Sequence, residues 1–311
     1  MIQSRYGQVQ VADTHSYSEA VQGFRISPYL QELMVFAGMS EVYSAGNVLL
    51  ERLLRISVSA SSVYRVTVAT AEALPEEPLY EAITQPTVYA EVDGSMLLTD
   101  EKWKEVKVGR VFGRHAQSGQ ADLANSRYCA YLGTHSNFCE RFEALLPAFL
   151  HIVFITDGAD WIKQWIDRSY PKAIQILDFY HAFQHLAEAV QGVMRSDDWL
   201  EKQRNLLLES QLDTVIENVK ALKYLPEVKR DNLLNYYQNN RYRMDYAAYK
   251  QAGYCIGSGA IEAAHKTLIQ QRMKRSGQIW SPKRAQQMLK LRVAYKSNLS
   301  QLVKDTICQA A

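Results

Sequence analysis

The sequence holds only four cysteines, Cys129, Cys139, Cys255 and Cys308, and no two form a CxxC pair. That scarcity excludes a disulfide framework and a zinc ribbon, and reduced, packed thiols are expected instead. Equally absent is any run of ~20 uncharged apolar residues, the length a membrane helix requires. The opening MIQSRYGQVQVADTHSYSE has no basic start followed by an apolar stretch, so no secretory leader is expected and the chain reads as cytoplasmic. A third absence is local. Between Ala263 and Lys296 there is no Asp or Glu, yet that stretch carries Lys266, Arg272, Lys274, Arg275, Lys283, Arg284, Lys290, Arg292 and Lys296. With a net charge of only +2, the remainder of the chain is acidic. A basic segment on an acidic body is the pattern of a protein that holds a polyanion at one place; a solvated helix face is the alternative.

What is present begins with size. A chain of 311 residues, 47% of them hydrophobic, can bury a substantial core. Residues 1–73 read as helical, because SPYLQELMVFAGMS, VYSAGNVLLERLLRI and VSASSVYRVTVATAEAL carry apolar residues at three- and four-residue intervals. The break in LLERLLRISVSASSVYRVT predicts a helix-turn-helix whose second helix is capped by Ser59, Ser61 or Ser62. Such a helix could enter a DNA groove with Arg65, or simply pack. Residues 74–87, aperiodic and proline-rich, read as a linker.

From residue 88 to 184 the texture changes. TVYAEVDGSML, WKEVKVGRVF and SRYCAYLG predict three antiparallel strands. SNFCERFEALLPAF predicts a helix, HIVFITDGAD a buried strand, WIKQWIDRSY a helix and AIQILDFYH another buried strand. Three strands, helix, strand, helix, strand is the element order of a ribonuclease H-like α/β fold with a mixed five-stranded sheet and flanking helices. Residues 185–252 read as an all-helical insertion, and 253–311 as the return to the core through C-terminal helices and the basic segment.

Two of the predicted strands end in an acid followed by glycine, Asp93-Gly94 and Asp157-Gly158. A carboxylate at the end of a buried strand gains nothing from the core, because burying it unpaired costs several kcal/mol. If the two strands are neighbours, the acids repel unless a cation lies between them. Oxygen donors without His or Cys support suit Mg²⁺ or Mn²⁺. Two such ions can activate a water or a 3′-hydroxyl and stabilise the leaving oxygen of a phosphodiester. Glu262, after the run Gly257-Ser258-Gly259-Ala260-Ile261, opens a helix that could bring a third carboxylate to the pair. Against this stands the ordinary use of Asp-Gly in turns and of Asp as a helix cap.

In ILDFYHAFQHL, Asp178, His181 and His185 share a helix face if a helix starts near Asp178. A zinc site is one reading of that spacing. The other has Asp178 as a cap and His181 close to the carboxylates. Trp280 and Tyr295 interleave with the basic run, as base-stacking residues or as core anchors.

VDGSML, FITDGADWI, ILDFYHAFQHL and GSGAIEAAHKTLIQQRMKRSGQIWSPKRAQQMLKLR resemble the catalytic domain of bacterial insertion-sequence DDE transposases of the ISKra group, within the wider Mutator-related transposases. The resemblance covers residues 85 to 300. It implies a ribonuclease H-like fold, cleavage of DNA at terminal inverted repeats and strand transfer into target DNA. It further implies two Mg²⁺ ions, for which Mn²⁺ can substitute, and Asp93, Asp157 and Glu262 as catalytic and metal-binding residues. Asp178 and His181 match a D-x-x-H signature near that site. Lys266, Arg272, Lys274, Arg275, Trp280, Lys283 and Arg284, with Arg65, are the candidate DNA contacts. A homo-oligomer synapsed on DNA, with nucleoid association, follows from the same resemblance. Family members commonly carry a longer N-terminal region than the one here. The alternatives are a DNA-binding remnant without catalysis and another ribonuclease H-like nuclease, such as a resolvase.

Overall fold

The architecture follows from where apolar periodicity switches between 3.6 and 2 along the chain. A computed structural model describes residues 2–4, 7–10, 24–76, 78, 80, 83–114, 125–147, 151–193 and 197–309. It opens on a short antiparallel hairpin, β1 (Ile2–Ser4) and β2 (Gly7–Val9), in a region that the sequence reads as helical.

Three helices follow: α1 (Pro28–Ser40), α2 (Tyr43–Leu54) and α3 (Ala60–Ala73). Pro28 sits at the first helical position, where its missing N–H loses nothing, and Ser27 caps α1 by accepting from Leu30 N at 3.3 Å. The turn between α2 and α3 passes through Arg55 in the left-handed region, φ 56°. Of the three candidate serines Ser59 is the cap, its Oγ accepting from Ser62 N at 3.0 Å. These helices bury Met34, Leu50, Val63 and Val66 against Leu291, Ala294, Val303 and Ile307 of the C-terminal helices. Each such buried side chain contributes roughly 1.5–3 kcal/mol, which holds the N-terminal region on the body. Within residues 74–87, read as a linker, Leu74 and Ile83 are buried, while Pro75, Glu76, Thr84 and Pro86 are exposed.

The sheet comprises β3 (Thr87–Leu98), β4 (Trp103–Gly113), β5 (Arg127–Leu132), β6 (His151–Thr156) and β7 (Ile174–Leu177). Its strand order is β5-β4-β3-β6-β7. The pairs β3–β4 and β4–β5 are antiparallel, β3–β6 and β6–β7 parallel. This is the ribonuclease H-like arrangement expected from the element order. Helices α4 (His135–Glu143) and α5 (Asp160–Ser169) cover one face, burying Phe138, Phe142, Ile162 and Trp165 against Val92 and Phe154.

On the other face lies α6 (Phe179–Val190), followed by α7 (Asp197–Leu208), α8 (Leu212–Lys220), α9 (Glu227–Asn240), a 3₁₀ turn at Arg241–Arg243 and α10 (Tyr246–Gln251). The chain returns to the sheet as α11 (Gly259–His265), passes through a π segment (Lys266–Gln270) into α12 (Gln271–Met273), and ends with α13 (Pro282–Lys296) and α14 (Ser300–Gln309). The π segment widens the helical ladder and leaves carbonyls to satisfy. Arg292 does so: its Nε donates to Leu268 O at 2.6 Å, and its other nitrogens donate to Thr267 O and Met39 O.

One strand boundary differs from expectation. The Asp93-Gly94 step is not a turn, because β3 runs on to Leu98 while paired with β4, from Asp93↔Val108 to Leu98↔Trp103. The cross-strand ladder outweighs the local turn preference of Asp-Gly. Asp157-Gly158 does end its strand, and Gly158 takes φ +93°.

Candidate active site

β6 stops where β3 continues. The last register pair between them is Val92↔Thr156, so Asp93 and Asp157 are the next residues on two adjacent parallel strands. Both carboxylates are half-buried. Asp157 Oδ1 accepts from Ala159 N at 3.0 Å, and Asp93 Oδ1 from Gly94 N at 2.7 Å. Burial raises the pKa of Asp157, and the negative charge of Asp93 adds to it, against the Ala159 amide and the charges of His181 and Arg243. For Asp93 burial also acts upward, but His265, the Gly94 amide and the His181 charge outweigh it and hold the carboxyl below its ordinary value. Two like charges side by side, one of them discouraged from ionising, form a pair that a cation would stabilise.

Asp178 joins the elements around this pair. It is 1% exposed and caps α6, its Oδ1 accepting from His181 N at 2.9 Å. Its own N–H donates to Thr156 O at 2.8 Å, one residue before Asp157. Its Oδ2 accepts from both the amide and the hydroxyl of Ser258, which precedes α11. The end of β6, the start of α6 and the start of α11 are thus tied at one residue. His181 Nδ1 lies 3.7 Å from Asp178 Oδ1 and has no hydrogen bond. His185 lies against Tyr236 in a tilted ring contact, centroids 4.1 Å apart. Among the described residues no group of three or more His, Cys, Asp or Glu side chains stands close enough to hold a metal ion, so the zinc reading of Asp178, His181 and His185 is not supported.

The structure brings α11 against β3 but presents a different side chain first. His265 Nε2 lies 3.2 Å from Asp93 Oδ2, whereas Glu262, one turn earlier, is exposed. Asp93 and Asp157 therefore follow neighbouring strands as expected, while Glu262, three residues before His265 on α11, is exposed.

The insertion supplies a wall that sequence reasoning missed. Tyr236 OH donates to the Asp157 carbonyl at 2.9 Å. Arg243, fully buried, donates to Thr156 Oγ1 at 3.3 Å and to Asn240 Oδ1. Nothing in the sequence marks Arg243, one basic residue among many in polar helices. His265 and Ser258 did carry a signal: His265 follows Glu262 by three, and Ser258 sits between the two glycines.

The basic segment is built differently from its sequence pattern. Arg272 is buried, its Nε donating to Gly38 O at 3.0 Å and its guanidinium lying over the rings of Tyr43 and Trp280. Trp280 is buried as well, donating from Nε1 to Met273 O at 3.0 Å and pairing with the end of β3. Both anchor the core. Arg275 pairs with Glu41 at 2.7 Å, Lys283 and Arg284 share Glu72 at 3.2 and 3.5 Å, and Lys290 pairs with Glu76 at 2.8 Å. The acids missing from the segment come from the N-terminal region instead. Lys266, exposed, and Lys274, hydrogen-bonded to Ser95 Oγ at 2.7 Å on the Asp93 face of β3, remain without a carboxylate partner among the described residues. Arg65 is exposed on α3. Tyr295 is partly buried in the core. Cys129 and Cys139 are buried, but Cys308 is exposed rather than packed. No described helix is long and apolar enough to cross a membrane.

Strand order and acid pair together define a ribonuclease H-like α/β protein. The chain belongs to the uncharacterised protein family UPF0236, whose model matches residues 26–303. It is 24% identical over 299 residues to the UPF0236 protein in the vanSb 3′ region of Streptococcus gallolyticus, covering 88% of this chain. It spans 65% of the length of that relative. It is also similar to a chain of the Drosophila P element transposase strand transfer complex, at 9% identity and a TM-score of 0.44, over 89% of this chain and 93% of the other. A likeness at that level identifies neither activity nor ligand.

Proposed function

We propose that this protein is a DDE transposase that cleaves DNA at the terminal inverted repeats of a mobile element and joins the freed 3′ end to target DNA. The observation that carries the reading is the placement of Asp93 and Asp157 at adjacent positions just past the last β3–β6 register pair. The resemblance of the VDG, TDG and GSGAIEAAHK segments to ISKra-group transposases supports it.

In this reading Asp93 and Asp157 hold the ion, and Glu262 adds a third carboxylate from α11. The donor chemistry suits it: two half-buried carboxylates that repel each other. Mg²⁺ or Mn²⁺, as one ion or two, would supply Lewis acidity at the phosphorus and a lowered pKa to the attacking water or hydroxyl. The protein's own groups do the rest. Asp178 holds the Ser258 turn, and with it the helix of Glu262, against the end of β6. Lys266 and Lys274 hold phosphates of the DNA backbone, and His181, beside Asp178, serves a phosphate oxygen. The attacking oxygen forms its P–O bond as the opposite P–O bond breaks in line, first with water and then with the freed 3′-hydroxyl. Two ends must be brought together, so a homo-oligomer forms on DNA, in the cytoplasm and on the nucleoid.

The exposure of Glu262 is the one observation favouring a second reading, a chain that binds DNA without cutting it. The experiment is incubation of a labelled duplex bearing the repeats that flank the gene with Mg²⁺, Mn²⁺ or EDTA, using wild type and Asp157→Asn. Nicked and joined products that need the metal and vanish in the variant establish the transposase. Nicking without joining indicates a simple nuclease, and binding without nicking the second reading.

A further inference from the structure

His265 is 5% exposed, yet neither of its ring nitrogens has a hydrogen-bond partner among the described residues. Burying an unsatisfied polar ring is unfavourable by about 1–3 kcal/mol, so a histidine in this state calls for a further partner. Its Nε2 stands 3.2 Å from Asp93 Oδ2, at contact distance but not aligned as a hydrogen bond. That separation has a simple counterpart. Two donors bound at about 2.1 Å and at right angles to one first-row divalent ion lie about 3 Å apart.

We propose that His265 is a metal ligand: Asp93 Oδ2 and His265 Nε2 together hold a first-row transition ion, which makes this site prefer Mn²⁺ to Mg²⁺. The inference rests on reading Asp93 and Asp157 as the ion-binding pair. The physical reason is donor softness. An imidazole nitrogen suits a borderline transition ion, whereas Mg²⁺ demands oxygen ligands in near-ideal octahedral array. Two side-chain donors at ligand spacing, with no third already gathered, leave the other positions to Asp157, water and a phosphate oxygen. α11 delivers the ring, since His265 at its C-terminal end faces Asp93 of β3. The Ser258–Asp178 contacts hold the start of that helix.

The test needs no DNA and no turnover. Mn²⁺ is titrated into the full chain, with free ion followed by electron paramagnetic resonance, and Mg²⁺ affinity is obtained by competition. The variants are His265→Ala, His265→Asn, His181→Ala and Asp157→Asn. Bound Mn²⁺ in the wild type should show a ¹⁴N hyperfine coupling that His181→Ala keeps and His265→Ala loses. Loss of the ring should weaken Mn²⁺ about tenfold or more and Mg²⁺ far less, so the preference narrows. Bound Mn²⁺ without ¹⁴N coupling in the wild type overturns the proposal even if no variant folds. So does tighter binding of both ions by His265→Ala or His265→Asn, which would make the ring a counter-ion that the metal displaces. A wild type that binds neither ion, or that binds them equally well after Asp157→Asn, removes the carboxylate reading itself along with this inference.

Discussion

Ser258 donates both its amide and its hydroxyl hydrogen to Oδ2 of Asp178, a carboxylate whose other oxygen caps α6. Three hydrogen bonds to one buried anion make this residue a joint of the fold as well as a neighbour of the site. Asp178→Ala removes a helix cap and leaves the Ser258 donors unsatisfied, so a loss of about 3 kcal/mol is expected. Urea denaturation with linear extrapolation measures it; a loss under about 1 kcal/mol would show that water replaces the carboxylate.

Asp93 and Asp157 should respond oppositely to neutralisation. The Asp157 carboxyl is raised by burial and by Asp93, so its ionisation destabilises the metal-free fold as pH climbs through the folded pKa. The Asp93 carboxyl is lowered, so its charge stabilises above the unfolded pKa and that gain is lost as pH falls. At pH 7 without metal, Asp157→Asn should melt at or above the wild type and Asp93→Asn below it. Thermal melts in EDTA decide this, and a lower melting point for Asp157→Asn than for Asp93→Asn would contradict the assignment.

Glu91, two residues before Asp93 and 2% exposed, pairs with the buried Arg110 at 3.4 Å. Burial pushes its carboxyl up to about 7 despite the arginine. The folded state then binds a proton that the unfolded chain has already released, so stability falls as pH rises from about 4.5 to about 7, by at most about 3 kcal/mol. Glu91→Gln should flatten that part of the profile. Chemical denaturation at pH 5, 6, 7 and 8 compares the slopes, and parallel wild-type and variant curves would exclude Glu91 as the source.

Among the basic residues of the 263–296 segment, the exposed ones without a carboxylate partner, Lys266 and Lys274, should set DNA affinity. Lys266→Ala and Lys274→Ala are each expected to lower the salt dependence of binding by about one unit of log–log slope. Arg272→Ala should leave that slope unchanged and lower thermal stability, because its guanidinium serves Gly38 O and two aromatic rings. Fluorescence anisotropy across a salt series reads the slope. An unchanged slope for both lysine variants would move the DNA path elsewhere.

Much of this fold is legible in the sequence. Alternation in WKEVKVGRVF and the buried runs in HIVFITDGAD and AIQILDFYH marked β4, β6 and β7, because strand periodicity is a local property. Asp178 was legible as a cap for the same reason. Asp93-Gly94 misled, since the dipeptide favours a turn and only the β4 partner shows that the strand continues. The basic run misled more. Its isolation from acids along the chain says nothing about Glu41, Glu72 and Glu76, which reach it from the N-terminal region across the fold.

Hydrophobic period and capping act over a few residues, so they dictate the elements and their order, and through them a sheet in which two aspartates follow neighbouring strands. Which acid meets which cation was decided only by tertiary structure. Helix α11 places His265 rather than Glu262 against Asp93, and packing between segments hundreds of residues apart buries Arg272 on Gly38 and Arg292 on Met39. Burial and charge pairing depend on distance in space, and chain spacing fixes that distance only within a single element.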